Sequence, residues 1–199
     1  MGRGIAVATC LLLALAASGA QAKPPTTKAA KRCATRGTTV AANPRARVYR
    51  VFTGDSEFYA CFTRTGRTRH LAGSGGGAAH YTGGFFRLIG PRVGYVQQFC
   101  LDVDCTFEAR TIDLARGRTI HRRTRVDGLA VGFEISRSGS FAFVSQPAYP
   151  SASYTIEDTD AAGTRTLDSG PEIDPHSLAA GGGRVYWMHA GEPRSAELR

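Results

Sequence analysis

The side chains of this sequence that could do chemistry are five histidines, two Asp-x-Asp pairs, one serine set among glycines, and the cysteines. His70, His80, His121, His176 and His189 never fall two or four residues apart, so they form no compact zinc motif. Asp102-Val103-Asp104 and Asp158-Thr159-Asp160 invite a calcium-loop reading, which needs an oxygen ligand at position five, glycine at six and Glu at twelve. The loop from Asp158 has Gly163 at six but Ala162 at five and Ser169 at twelve, and the loop from Asp102 has Thr106 at five and Phe107 at six. Both pairs are therefore expected to stabilise turns, where Asp side chains accept from main-chain amides. Ser74, in Leu71-Ala-Gly-Ser-Gly-Gly-Gly-Ala-Ala-His80, lacks the spacing of a nucleophile elbow, and no Lys-Ser/Thr follows to make a phosphate loop. No catalytic, cofactor-binding or metal-binding residue is assigned, and no cofactor is expected.

What the cysteines do depends on compartment. Arg3 followed by the apolar stretch Ile5–Ala17 and the small-x-small triplet Ala20-Gln21-Ala22 predicts a signal peptide over residues 1–22, cut after Ala22. No apolar run reaches the ~18 residues of a bilayer-spanning helix, so no transmembrane span is expected after cleavage. The product is secreted, periplasmic or otherwise extracytoplasmic. Cleavage removes Cys10 and leaves Cys33, Cys61, Cys100 and Cys105 in an oxidising compartment, where an even set reads as disulfides. Residues 23–36, KPPTTKAAKRCATR, are expected as an exposed tether. The chain of 199 residues, 42% hydrophobic and 21% charged, excludes disorder throughout and suits one domain over 37–199.

The elements that must position these groups repeat along the chain. Four apolar runs, Arg47–Phe52, Arg92–Gln97, Ser140–Ser145 and Arg184–His189, begin 45, 48 and 44 residues apart. They are apolar at consecutive positions, as in strands of a sheet covered on both faces. Gly66-Arg67-Thr68, Gly117-Arg118-Thr119 and Gly163-Thr164-Arg165-Thr166 keep step with them, each between two strand-like stretches and so at a hairpin turn. A further run precedes each main one: Thr38–Ala42, Phe85–Ile89, Leu129–Ile135 and Ser177–Ala180. Each unit thus has strands a, b, c and d. The fold class is all-β and β-propeller-like, with about four units of up to four antiparallel strands. The last unit is incomplete, because Glu197-Leu198-Arg199 falls inside its strand c. A β-sandwich of hairpins is the alternative. No helical period appears after residue 23, and Trp187, in the most apolar strand, is expected in the core.

Residues 135–169, ISRSGSFAFVSQPAYPSASYTIEDTDAAGTRTLDS, resemble one blade of the TolB-like β-propeller repeat. Ser136-Arg137-Ser138-Gly139 stands where that family has a Ser-Pro-Asp-Gly-like turn, without its Pro and Asp. Asp158 to Gly163 and Arg165-Thr166-Leu167 match the Asp-x-Asp-Gly-like end of strand c and the following Arg-x-Leu. The resemblance implies fold and not activity, since propellers host unrelated functions.

With the strands placed, Cys100 and Cys105 lie across the b–c hairpin of unit two, and a Cys33–Cys61 bond would staple the N-terminal segment to the first sheet. Charge is uneven: residues 23–125 hold 19 Lys+Arg against 6 Asp+Glu, and residues 126–199 hold 5 against 10. The expectation is a secreted, non-enzymatic binding module. Its partner is expected to be a protein or an anionic envelope or surface polymer, and an unpaired sheet edge offers a route to self-association. Nucleic acid is excluded by export and by the lack of an aromatic-plus-basic motif. The alternatives are an extracellular hydrolase or lyase acting on a polymer, or a remnant of a longer propeller. A pocket holding two carboxylates, or a carboxylate and a histidine, would favour the enzyme.

Overall fold

A computed structural model describes residues 27–74, 85–101, 104–147 and 152–199. The expected signal peptide, His80 and Asp102 lie outside these residues. One helix, α1 (Lys28–Ala34), precedes fifteen strands. The first sheet holds β1 (Thr38–Ala42), β2 (Ala46–Phe52), β3 (Ser56–Phe62) and β4 (Arg67–Ser74). The second holds β5 (Phe86–Ile89), β6 (Arg92–Leu101), β7 (Asp104–Asp113) and β8 (Arg118–Asp127). The third holds β9 (Leu129–Ile135), β10 (Phe141–Gln146), β11 (Tyr154–Asp160) and β12 (Gly163–Gly170). The fourth holds β13 (Ile173–Gly181), β14 (Arg184–His189) and β15 (Glu192–Glu197). All pairings are antiparallel between chain neighbours, as in propeller blades. These are four meanders, not the two facing sheets of a sandwich, and the fourth lacks a strand d.

The consecutive apolar positions of each second strand are explained by what they touch. On β6, Val93 and Tyr95 enter a core shared with the first sheet, while Val96 enters one shared with the third. On β10, Phe141 and Phe143 face the second sheet, and Ala142 and Val144 face the fourth. Side chains alternate along a strand, so a run buried at every position must have sheets on both sides. Packing is close enough that a Cβ on Gly94 would come within 2.3 Å of Ile135 Cγ2. Each later sheet packs through its first strand on the sheet before it: β5 on β1 and β2, β9 on β5 and β6, β13 on β9 and β10. The glycines of the three c–d turns, Gly66, Gly117 and Gly163, have φ of +70°, +68° and +123°, the region those turns require.

Three cores join four sheets in an arc, which leaves the first sheet with an end face. That face is covered by the segment expected as a tether. Thr27 caps α1 by accepting from the Ala30 N–H, and Cys33 is bonded to Cys61 of β3 and buried with Tyr49. The helix has only seven residues, fewer than two turns, too short to show a period. Arg47 of β2 holds its far end. Its guanidinium donates to the carbonyls of Cys33, Arg36 (2.5 Å) and Gly37 (2.9 Å) and to Thr39 Oγ1 (2.8 Å), and it lies over the Tyr49 ring. The other bond joins Cys100 to Cys105, which face each other at the β6–β7 tip.

The Cys33–Cys61 bond closes a separation of 28 residues, for which chain entropy gives about 3 kcal/mol or somewhat more. The double variant Cys33→Ser/Cys61→Ser should lose about that much stability in urea unfolding. Arg47→Met should lose a comparable amount, because it strands three carbonyls. Unchanged midpoints for both would show that the end face needs no cover.

Candidate functional site

Chain reversals at one end of the arc build a groove. The β9–β10 turn carries Ser136, Arg137 and Ser138. Its backbone is closed by the Ser136 N–H donating to the Ser140 carbonyl (2.8 Å) and the Gly139 N–H donating to the Ser136 carbonyl (3.2 Å). The Ser136, Ser138 and Ser140 hydroxyls form a chain with spacings of 2.5 and 3.0 Å. The β13–β14 turn is Gly182-Gly183, with φ of +59° and +77°, the two positive values that a two-residue hairpin favours. Between these turns, with Ile89 at the end of β5 and Leu198-Arg199 beyond β15, lies a cavity of about 670 Å³. Of its apolar lining residues, Ile135 and Leu198 are buried in the cores beneath and Ile89 and Ala180 are half-buried, and its cations are Arg137, Arg184 and Arg199. Arg184 donates to Ser195 Oγ (2.7 Å), and Arg199 Nε donates to Glu197 Oε2 (2.9 Å). Arg137 is exposed, and no side-chain partner engages it among the described residues. No carboxylate or imidazole lines the groove.

The carboxylate–histidine pair lies elsewhere, between the third and fourth sheets. Asp168 of β12 accepts from Trp187 Nε1 (2.7 Å), His189 Nδ1 (2.9 Å) and Arg194 (3.1 Å) at one oxygen, and from the Ser169 N–H (2.9 Å) at the other. Burial alone would raise the Asp168 pKa, but the bonds from His189 and Trp187 outweigh it and hold the carboxyl below its ordinary value. The other edge of His189 lies against Gly170, where a Cβ would approach Nε2 to 3.4 Å. Among the described residues no hydroxyl or thiol bonds His189. Trp187 is in the core, its N–H satisfied by Asp168.

A smaller cavity of about 440 Å³ lies beside Glu108, where β8 bulges and Arg125 adopts a φ of +51°. Glu108 is gripped by Arg110 through two bonds (2.6 and 2.7 Å) and by Arg122. Burial would raise its pKa, but the two guanidiniums hold it lowered, so it is a tied anion and no proton donor near neutrality.

The remaining sequence candidates are placed as follows. Asp160 stabilises a turn, accepting from the Ala162 N–H (2.7 Å). Asp158 does not: it is fully buried and takes a double bond from Arg165 on the neighbouring strand. A charge with no solvent needs a fixed counter-charge, and Arg165 faces it in register. His70 and His121 do occupy equivalent outer strands, β4 and β8, but serve different ends. His70 bonds Glu57 (2.5 Å), whereas burial pushes His121 down in pKa against an opposing pull from Asp160. His176 lies on β13, its N–H donating to Asp174. Among the described residues no three His, Cys, Asp or Glu side chains gather, and no helix is long and apolar enough to cross a membrane.

The outer strands β4, β8, β12 and β15 are sheet edges, and β15, which stands where the fourth sheet lacks a strand d, is blunted. The Leu198 N–H donates to the Gly183 carbonyl, so Pro193, Ser195 and Glu197 turn their main chain outward. Pro193 has no N–H to offer, and the Glu197 carbonyl is taken by Arg165 (2.5 Å). Ser195 alone presents both groups, too little for an added strand.

No family model and no curated protein matches the chain. Among solved structures it is similar to the Pyrococcus horikoshii acylaminoacyl peptidase, with 10% identity and a TM-score of 0.40 over 77% of this chain and 37% of that one. It is also similar to a chain in the crystal structure of a mitotic checkpoint complex, with 11% identity and a TM-score of 0.33 over 79% of this chain and 62% of that one. The chain thus spans less than two thirds of either neighbour's length. No residue role is carried over from them.

Because the folded pKa of Asp168 is depressed, its contribution is present above the unfolded carboxyl value, near pH 4, and is lost as pH falls through the folded value. Asp168→Ala should lose about 2–4 kcal/mol at pH 7, leaving Trp187 and His189 without their acceptor. It should also show a shallower loss of stability between pH 5 and 3 than the parent, measured by urea unfolding at each pH. Equal slopes would mean that Asp168 gains nothing from its partners.

Proposed function

We propose that this chain is an exported, non-enzymatic binding module of the TolB-like propeller type, and that its ligand lies in the groove between the β9–β10 and β13–β14 turns. The observation that carries this reading is the groove's lining. It offers three guanidiniums and the hydroxyls of Ser136 and Ser138, the means to hold a polar or anionic ligand. It lacks the paired acid and base that hydrolysis or elimination of a polymer requires. The carboxylate beside the smaller cavity, Glu108, and the one beside a histidine, Asp168, are each held by fixed donors. The bonded positions of Cys33 with Cys61 and Cys100 with Cys105 support an oxidising destination, in keeping with the leader read in residues 1–22.

The partner expected from this lining is an anionic component of the cell envelope. Cations at a rim add on-rate and orientation. Self-association through β15 is not part of the reading, since that edge is blunted by Pro193 and Arg165.

Two measurements check the proposal. Protein recovered from outside the cytoplasm should begin at Lys23 by intact mass and give Cys33–Cys61 and Cys100–Cys105 peptides under non-reducing digestion. Cytoplasmic protein that keeps residues 1–22 and five free thiols would overturn the export reading. Incubated with an anionic polysaccharide such as alginate, the protein should leave chain length unchanged; release of shorter fragments, abolished by Asp168→Asn or by Glu108→Gln, would establish an enzyme instead.

A further inference from the structure

We infer that the end of the arc holding the a–b and c–d turns is a docking face for a linear acidic polysaccharide, which lies across the turns of the first two sheets with part of its length at the groove. This rests on the reading of the groove as a binding site and adds the class of ligand and the surface that reads it.

The inference begins with topology. In an antiparallel meander the a–b and c–d turns fall at one end of the sheet, and the b–c turn and the link to the next sheet fall at the other. Neighbouring sheets keep these ends level. Asn43 in the first a–b turn donates to the carbonyl of Gly90 in the second (3.0 Å), and Arg69 donates to the carbonyl of Gly117 in the second c–d turn (2.6 Å). A Cβ on Gly117 would stand 3.6 Å from Arg67 Nη2 beside the first c–d turn. The groove opens at the same end, between the a–b turns of the third and fourth sheets.

Charge divides between the two ends. Arg45, Arg64, Arg67, Arg118 and Arg137 stand exposed in or beside the a–b and c–d turns, and no side-chain partner engages them among the described residues. Arg184 adds a charge that its bond to the Ser195 hydroxyl does not neutralise. The carboxylates at this end are held: Asp113 by Arg116, Asp160 by the Ala162 N–H and Glu197 by Arg199. The opposite end presents exposed Asp55, Asp104, Asp127, Glu172 and Glu192, and the described residues of its turns include no lysine or arginine. Counting charge along the chain hides this division, because every strand carries the chain from one end to the other.

The basic face selects a polymer over other anions. Stacked sheets lie about 10 Å apart, so its cations spread over roughly 20–30 Å from the first sheet to the groove. A small anion meets one or two of them, whereas a chain with a charge on each repeat meets them in series. Among the described residues the large exposed apolar side chains lie elsewhere: Phe52 and Leu101 at b–c tips, Val40 and Tyr186 within strands. The face therefore lacks the apolar or aromatic groups that enter a bilayer and the anchors that centre a protein interface. Thr65 and Ser138, exposed on a c–d and an a–b turn, offer hydroxyls to a sugar, and the guanidinium fork matches a carboxylate.

The test is isothermal titration of the mature, oxidised protein with the trimer and the dodecamer of guluronate in calcium-free buffer, beside sedimentation with vesicles of phosphatidylcholine and phosphatidylglycerol. The dodecamer should bind about tenfold or more tighter than the trimer, with log K falling as log salt rises. Arg64→Asn/Arg118→Asn should weaken the dodecamer about tenfold at low salt, flatten its salt dependence and leave the trimer unchanged. Arg50→Asn/Arg125→Asn removes the same charge from exposed strand positions nearer the other end, and should weaken the dodecamer by less than about twofold. Urea midpoints of both variants should match the parent. Equal losses from the two pairs, or no loss from the first, would overturn the docking face. A trimer that binds as tightly as the dodecamer and is lost in Arg137→Asn would overturn the polymer and leave the groove reading standing. Sedimentation with the vesicles without binding of the dodecamer would overturn the polysaccharide in favour of a bilayer. Failure of the parent to bind any of these probes would overturn both this inference and the reading on which it rests.

Discussion

The structure depends on one constraint: the second strands of the first three sheets are buried on both faces, so each of those sheets must lie between two covers. β6 and β10 satisfy it with sheets on either side. Four stacked sheets with three shared cores leave two end faces among the described residues, and each needs its own treatment. At roughly 25 cal/mol per Å² of apolar area, leaving the Tyr49 face of the first sheet in water would forfeit several kcal/mol, a large fraction of a domain's net stability.

The first end is managed by making a lid of a segment that has no intrinsic reason to be ordered. A seven-residue helix is far below the length at which helices hold in water. It persists because the Cys33–Cys61 bond removes its freedom to leave and because Arg47 reaches up from β2 to gather the carbonyls at its end. Burial draws the Arg47 pKa downward, and those carbonyls offset the loss of water around the charge. The last end is managed differently. On β14 the inward positions Val185 and Trp187 are buried, while Tyr186 between them is 43% exposed. Here the strand alternates, as a sheet with one wet face should. Among the described residues the fourth sheet makes its cross-sheet side-chain bonds to the third: Trp187, His189 and Arg194 donate to Asp168, and Arg165 to the Glu197 carbonyl.

The strands were legible because their signals are local. Consecutive burial in β10 reads as a run of apolar residues, and a c–d turn at +φ reads as Gly. β1, β9 and β14 begin and end where the residue pattern places them. The helix was not legible, because seven residues carry no period and its order comes from a bond closed 28 residues away. The expectation for Asp158 failed for a related reason. An Asp two residues before another looks like turn chemistry, and only register shows that Arg165 stands opposite it. The groove was illegible for the same cause: Ile89, Arg137 and Arg184 are distant in sequence, and the arc alone brings their turns together.

The charge asymmetry, read in sequence as a basic beginning and an acidic end, turns out to hide a finer division. Residues 126–199 hold five arginines among ten acids. Two of the five are committed: Arg165 to Asp158 within the third sheet and Arg194 to Asp168 between the third and fourth. The other three line the groove. The acidic half thus divides arginines that hold buried carboxylates from arginines that stand at one concave place. The basic half does not separate them in this way: Arg110 and Arg122 bind Glu108, Arg69 caps Gly117 and Arg87 reaches Glu134 of the next sheet. Net charge by region is therefore a poor guide to where an anion will sit. What decides it is which guanidiniums the packing has left unspoken for, and that becomes visible only once the sheets are stacked.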